Sequence, residues 1–128
     1  MSLPVLDHSV MLPGGRFHYR EWPNPGAQAL VLLHGFTGHA RSWDSFACAM
    51  QANYHVYALD QRGHGDSTWA DDYSADAMVE DVQDWVIVLT AVAGALAGQW
   101  ALSRYWQQAL DALTAAPKKS EELRGRAV

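Results

Sequence analysis

The chain has 128 residues, 49% hydrophobic and 18% charged, a balance that describes a globular chain with a core and excludes a disordered one. A net charge of -5 at pH 7 leaves no basic face for a polyanion, so neither nucleic acid nor an anionic membrane surface is expected as a partner. The single cysteine, Cys48, cannot form an internal disulfide, and Met1-Ser2-Leu3-Pro4 lacks the basic start and apolar run of a signal peptide, so a cytoplasmic location is expected.

In chain order, Pro13-Gly14-Gly15 reads as a tight turn. From Arg16 to Trp22 the residues alternate, with Phe17, Tyr19 and Glu21 on one side and His18, Arg20 and Trp22 on the other, which predicts an early hairpin strand at a sheet edge. His18 is read there as a strand-face residue without chemistry. Pro23-Asn24-Pro25-Gly26 breaks the strand. The apolar run Ala29 to Leu33 then ends abruptly in His34-Gly35, and a helical pattern starts near Arg41. A strand apolar on both faces belongs inside a mostly parallel sheet with flanking helices, and the fold class is therefore α/β. In such sheets the loops after the strand ends build the ligand site, which places binding beside Gly35 and Phe36.

Trp43, Phe46, Ala47 and Met50 recur at helical spacing, and Cys48 inside that helix is expected to be small, apolar and buried. His55 to Leu59 follows as a second short strand, so that two parallel neighbours end in adjacent loops. The second loop is Asp60-Gln61-Arg62-Gly63-His64-Gly65-Asp66-Ser67. Its glycines permit backbone angles other residues avoid, and Asp60, Arg62 and Asp66 can tie it together by charge-assisted hydrogen bonds. His64, between two glycines with no evident orienting carboxylate, is read as structural or as part of the rim. Neither Gly-Lys-Ser/Thr nor a Gly-x-Gly-x-x-Gly opening a helix occurs. No metal and no cofactor is expected.

With both loops in hand, His34-Gly35-Phe36-Thr37-Gly38, Arg41-Ser42-Trp43-Asp44 and Asp60 to Ser67 together resemble the N-terminal part of an α/β-hydrolase, over about Arg16 to Trp85. The resemblance implies that the backbone N–H of Phe36, supported by His34 and Gly35, contributes to an oxyanion hole, the second N–H coming from the residue after the nucleophile. It implies hydrolysis of a small carboxylic ester or related acyl substrate by a Ser-His-Asp type mechanism. Asp60, Arg62, Gly63, His64, Gly65, Asp66 and Ser67 are the implied structural turn.

The chain then departs from that pattern. Ser74 caps an amphipathic helix with Ala75, Met78, Val79, Val82, Trp85, Val86 and Leu89 on one face, but no Gly-x-Ser-x-Gly follows anywhere. Gly94-Ala95-Leu96-Ala97-Gly98 has the spacing of a nucleophile elbow, preceded by strand-like Val86 to Val92, yet Leu96 at the nucleophile position has no lone pair. Two other readings of this run stay open: close helix packing through its small residues, or a membrane span from Val86 to Leu102. Ser103 to Leu113 suits another helix, and the charged tail from Lys118 suits disorder. The expected organisation is hydrolase-like over 1–85, a divergent helical or degenerate-elbow region over 86–116 and a tail over 117–128. His64 is the last histidine, so the acid, base and nucleophile are all without candidates and the chain alone is expected to be inactive. The alternatives are a non-catalytic binding or interaction module and a weakly membrane-associated fragment. An exposed sheet edge would invite self-association or a completing chain.

Overall fold

The computed structural model describes residues 2–97, with side chains through residue 92. It divides the chain into two compact units, Met1–Ile87 and Val88–Val128, and the sheet and site lie in the first. Four strands, β1 (Leu6–Leu12), β2 (Gly15–Trp22), β3 (Gln28–Leu33) and β4 (Tyr54–Leu59), form one sheet in the order β1-β2-β4-β3. A 3-10 turn, Ala40–Trp43, leads into helix α1 (Asp44–Met50), and α2 runs from Ala75 to Ala97.

The parallel crossover read from the two apolar runs is present: β3 and β4 pair in parallel from Gln28↔Tyr54 to Leu33↔Leu59. The other two pairings are antiparallel, so among the described residues the α/β sheet is mixed rather than mostly parallel. The difference comes from β1, a strand hidden in the sequence because His8 stands among Leu6, Val10 and Leu12 on its apolar side. Its hairpin with β2, closed by Leu12↔Gly15, moves β2 from the edge to the interior. There Phe17, His18, Arg20 and Trp22 are all buried, from both faces. Glu21 stitches the three strands together, its two carboxylate oxygens each 2.6 Å from an imidazole Nε2, of His8 in β1 and His55 in β4.

One face of the sheet packs on α1. Trp22, Leu32, Val56 and Ala58 meet Ala40 and Ala47 there, with Trp43 and Met50 at the margin. Burying such side chains stabilises by about 1.5–3 kcal/mol each for the larger ones, which is what holds the short α1 in place. Cys48 lies on the outer side of that helix and is exposed, contrary to the expectation of burial. A seven-residue helix has room for only a narrow buried stripe, and Ala47 occupies it.

On the opposite face Trp85 of α2 is fully buried, its ring 5.6 Å from that of Tyr19. Ser74 caps α2 as expected, its Oγ accepting from Ala77 N–H at 3.3 Å. The buried stripe is rotated from the one read in the apolar pattern. Ala77, Asp81 and Trp85 face inward, whereas Val79 and Ala75 are exposed. The cause is polar: Asp81 turns in to meet Arg62, and the helix follows it.

Val86 to Val92 are helical, so the strand that an elbow at Leu96 needs is not there. Leu96 itself stands in the last turn of α2. Gly98, the Ser103 to Leu113 helix and the tail lie outside the described residues. Among the described residues no helix is long and apolar enough to cross a membrane.

Candidate functional site

β3 and β4 end side by side, and the loops that leave them, 34–39 and 60–67, are fastened to one another. His34 closes the first strand's apolar run and is buried, 6% exposed. Its Nδ1–H donates to Gly35 O at 2.8 Å, and its Nε2 accepts from Gln61 N–H at 3.0 Å. That pair of contacts requires the neutral ring in a single tautomer. Burial above all, with His64 and His39 nearby, holds His34 below the usual imidazole range, against the opposing pull of the Gly35 carbonyl and Asp60. Gln61 returns the contact from its side chain, Nε2–H donating to His34 O at 2.6 Å.

Gly35 O also accepts from Gly38 N–H at 3.0 Å, which makes 35–38 a tight turn. A side chain at Gly38 would meet His34 Cβ at 2.9 Å, so the turn demands glycine for close approach. With the Gly35 carbonyl held by two donors, the trans peptide aims the Phe36 N–H the other way. That N–H forms no hydrogen bond among the described residues, and the Phe36 side chain beside it is 93% exposed.

Asp60, 3% exposed, is the hub beneath both loops. Its Oδ1 accepts from Ala40 N–H at 2.6 Å, just after the first loop. Its Oδ2 accepts from Asp66 N–H at 3.0 Å and lies 2.7 Å from His18 Nδ1. Burial pushes the carboxyl up, but the Ala40 and Asp66 N–H groups and His18 more than reverse this, and its pKa falls below the usual carboxylate value. Gly65, at φ 50, sits directly on the carboxylate, where a Cβ would fall 2.2 Å from Oδ2. Only glycine fits that position. Ser67 closes the turn, its hydroxyl donating to Asp60 O at 2.6 Å while accepting from His18 N–H at 2.9 Å.

Of the three charged residues read as tying the second loop together, Asp60 does so through its side chain, and Asp66 contributes its backbone N–H with its side chain left exposed. Arg62 reaches out of the loop instead. It donates to both oxygens of Asp81 at 2.6 and 2.8 Å and to Asp72 O at 2.6 Å. The Asp81 hydrogen bonds raise the guanidinium pKa further, so the pair stays ionised. Gly63, at φ 74, packs against the Tyr73 ring, and His64 stands between the loops with its Nε2 2.7 Å from Phe36 O.

Two residues at this site escaped the sequence reading. His18 is no bare strand-face residue: it is buried and spans Asp60 and Asp7, the second at 2.8 Å from Nε2. Asp81 is the buried anchor for Arg62. Helical spacing could have flagged Asp81, which lies four residues from both Ala77 and Trp85. His18, Asp60 and Asp66 offer ligand atoms within 4.8 Å of one another. Both Asp60 oxygens and both His18 ring nitrogens are already engaged by protein groups, however, so the trio is a hydrogen-bond hub.

The comparisons with known proteins agree with this layout. A family model described as alpha/beta hydrolase fold matches residues 28–92, from the start of β3 into α2. The (E)-2-((N-methylformamido)methylene)succinate hydrolase of Acinetobacter baylyi is 40% identical over 84 residues, 65% of this chain and 30% of that protein. Mouse epoxide hydrolase 4 is 35% identical over 74 residues, 56% of this chain and 21% of that protein. Among solved structures, a membrane phospholipase A described as a bacterial virulence factor superposes with a TM-score of 0.63 at 30% identity, covering 66% of this chain and 28% of that one. The chain thus spans less than a third of the length of each of these relatives. With both strand-end loops inside the matched segment and that segment exceeding half of the sequence, the chain belongs to the alpha/beta hydrolase fold family.

Proposed function

We propose that this chain carries the oxyanion-binding half of a hydrolase site for a small ester or related acyl substrate, with the Phe36 N–H as donor. One observation carries the reading: the Gly35 carbonyl is held by His34 and Gly38 while the Phe36 N–H on the same peptide is left over. Acyl hydrolysis passes through a tetrahedral oxyanion, and a donor fixed before reaction stabilises that charge without reorganising. The relatives named as succinate hydrolase and phospholipase A support an acyl substrate.

Methylphosphonate, a tetrahedral oxyanion, provides the test. In amide NMR spectra of the 128-residue chain its largest effect is expected at Phe36, and a shift absent there or spread evenly over the surface sinks the reading. Turnover is a separate matter. The sequence holds no Gly-x-Ser-x-Gly and no histidine after His64, so the Ser-His-Asp mechanism has no attacking group within these residues. Hydrolysis of p-nitrophenyl acetate by this chain is expected to match that of a Phe36→Pro variant, and turnover clearly above it refutes the assignment.

A second reading concerns assembly. β3 has no partner on its outer side among the described residues, and Val31 and Leu33 are 38% and 41% exposed. Its sequence, Gln28 to Leu33, contains no charge or proline to discourage pairing. This edge is read as accepting a further strand from another chain. Size-exclusion chromatography with light scattering is expected to show a species heavier than the 14.1 kDa monomer. A monomer at every concentration excludes the idea.

A further inference from the structure

We propose that His64 is a positioning residue for the Phe36 donor, acting through the Phe36 carbonyl. The inference rests on the reading of Phe36 N–H as the oxyanion donor and adds to it the group that holds the donor's loop in place from across the site. Three successive carbonyls, those of His34, Gly35 and Phe36, all accept hydrogen bonds. Gln61 Nε2–H takes the first at 2.6 Å, His34 Nδ1–H the second at 2.8 Å, and His64 Nε2–H the third at 2.7 Å. Two of those three donors come from the 60–67 turn. The N–H of Phe36 is what the arrangement leaves free, bracketed by a fixed carbonyl on either side.

The geometry of the turn serves this contact. Gly63 and Gly65 both have positive φ, 74 and 50, and between them they bend the chain so that residue 64 faces the first loop. The imidazole is held at its other end by proximity of Nδ1 to Arg62 O at 2.9 Å. It lies 4.8 Å from the His34 ring and meets the Phe36 ring edge-on at 6.4 Å. Arg62 is itself fixed by Asp81, so the ring is carried on a backbone segment anchored to α2. His64 is only half-buried and takes no part in the core under α1, so its influence is local.

Amide hydrogen exchange on the full 128-residue chain tests the inference with His64→Ala and His64→Gln. The informative amides are Gly38, bonded to Gly35 O, and Gln61, bonded to His34 Nε2. His64→Ala is expected to lower their protection about three- to tenfold, the loss of one hydrogen bond across the loops. Val56 in β4 and the urea midpoint are expected to stay where they are. Glutamine, whose Nε2 donates, is expected to restore the protection. Unchanged Gly38 and Gln61 amides in His64→Ala overturn the proposal, as does a loss that extends to Val56 or that glutamine fails to rescue. The two readings fail separately. If methylphosphonate leaves Phe36 unmoved while the exchange results hold, the oxyanion assignment falls and the clamp stands. If Phe36 responds equally in wild type and His64→Ala, with exchange unaltered, the clamp alone falls.

Discussion

Asp60→Asn is expected to destabilise the chain by about 3–5 kcal/mol, the cost of breaking a buried charged pair from one side. The carboxylate accepts from Ala40 and Asp66 N–H and contacts His18 Nδ1, and a carboxamide replaces one of those acceptors with a donor. The imidazole of His18 then loses its partner at Nδ1 inside the sheet. Against a typical total of about 5–15 kcal/mol for a domain, this is a large fraction. Urea titration measures it, and a loss below about 1 kcal/mol sinks the idea that Asp60 is the hub. The acid limb of stability gives an independent reading. Because the folded pKa of Asp60 lies below the model value of 3.8, its contribution is fully present above that value and is lost as pH falls through the folded one. The variant is therefore expected to show a shallower decline below about pH 4. Asp72, whose carboxyl is also held low by the Ser74 N–H, contributes in both proteins and cancels in the comparison.

How much of this was legible in the residues depends on whether backbone pattern or side-chain pairing decides the outcome. β3 and β4 stood out because their apolar runs are unbroken and bounded by turn residues, and both loops stood out because glycines and acceptors cluster there. β1 was missed because an imidazole occupies a position on its apolar side. With β1 unseen, β2 could only be placed at an edge. The central run was expected to be covered on both faces, yet β3 is the outer strand of the described sheet and Val31 and Leu33 on one face are half-exposed. His18 was read as inert because its two carboxylate partners, Asp7 and Asp60, are 11 and 42 residues away along the chain. The Phe36 peptide was placed correctly from the resemblance, but what orients it, the pair of donors on Gly35 O, belongs to three-dimensional geometry.

The rotation of α2 leads to the second large effect. Asp81→Ala leaves the Arg62 guanidinium buried with only the Asp72 carbonyl, and is expected to cost about 3–5 kcal/mol. Arg62→Met alone strands the Asp81 carboxylate, which is 3% exposed. The double variant Arg62→Met/Asp81→Ala removes both charges, and its cost is expected to fall short of the sum of the single costs by about 1.5–3 kcal/mol. Additivity within about 0.5 kcal/mol would mean that the two residues are merely neighbours. The pair links the turn that carries His64 to the helix that buries Trp85 against Tyr19. An apolar pattern alone would rotate α2 to bury Val79, which is 54% exposed here. Without the charge pair nothing specifies the observed rotation against that alternative. The double variant is therefore expected to keep much of its stability and lose the Trp85–Tyr19 contact, visible as a change in near-ultraviolet circular dichroism.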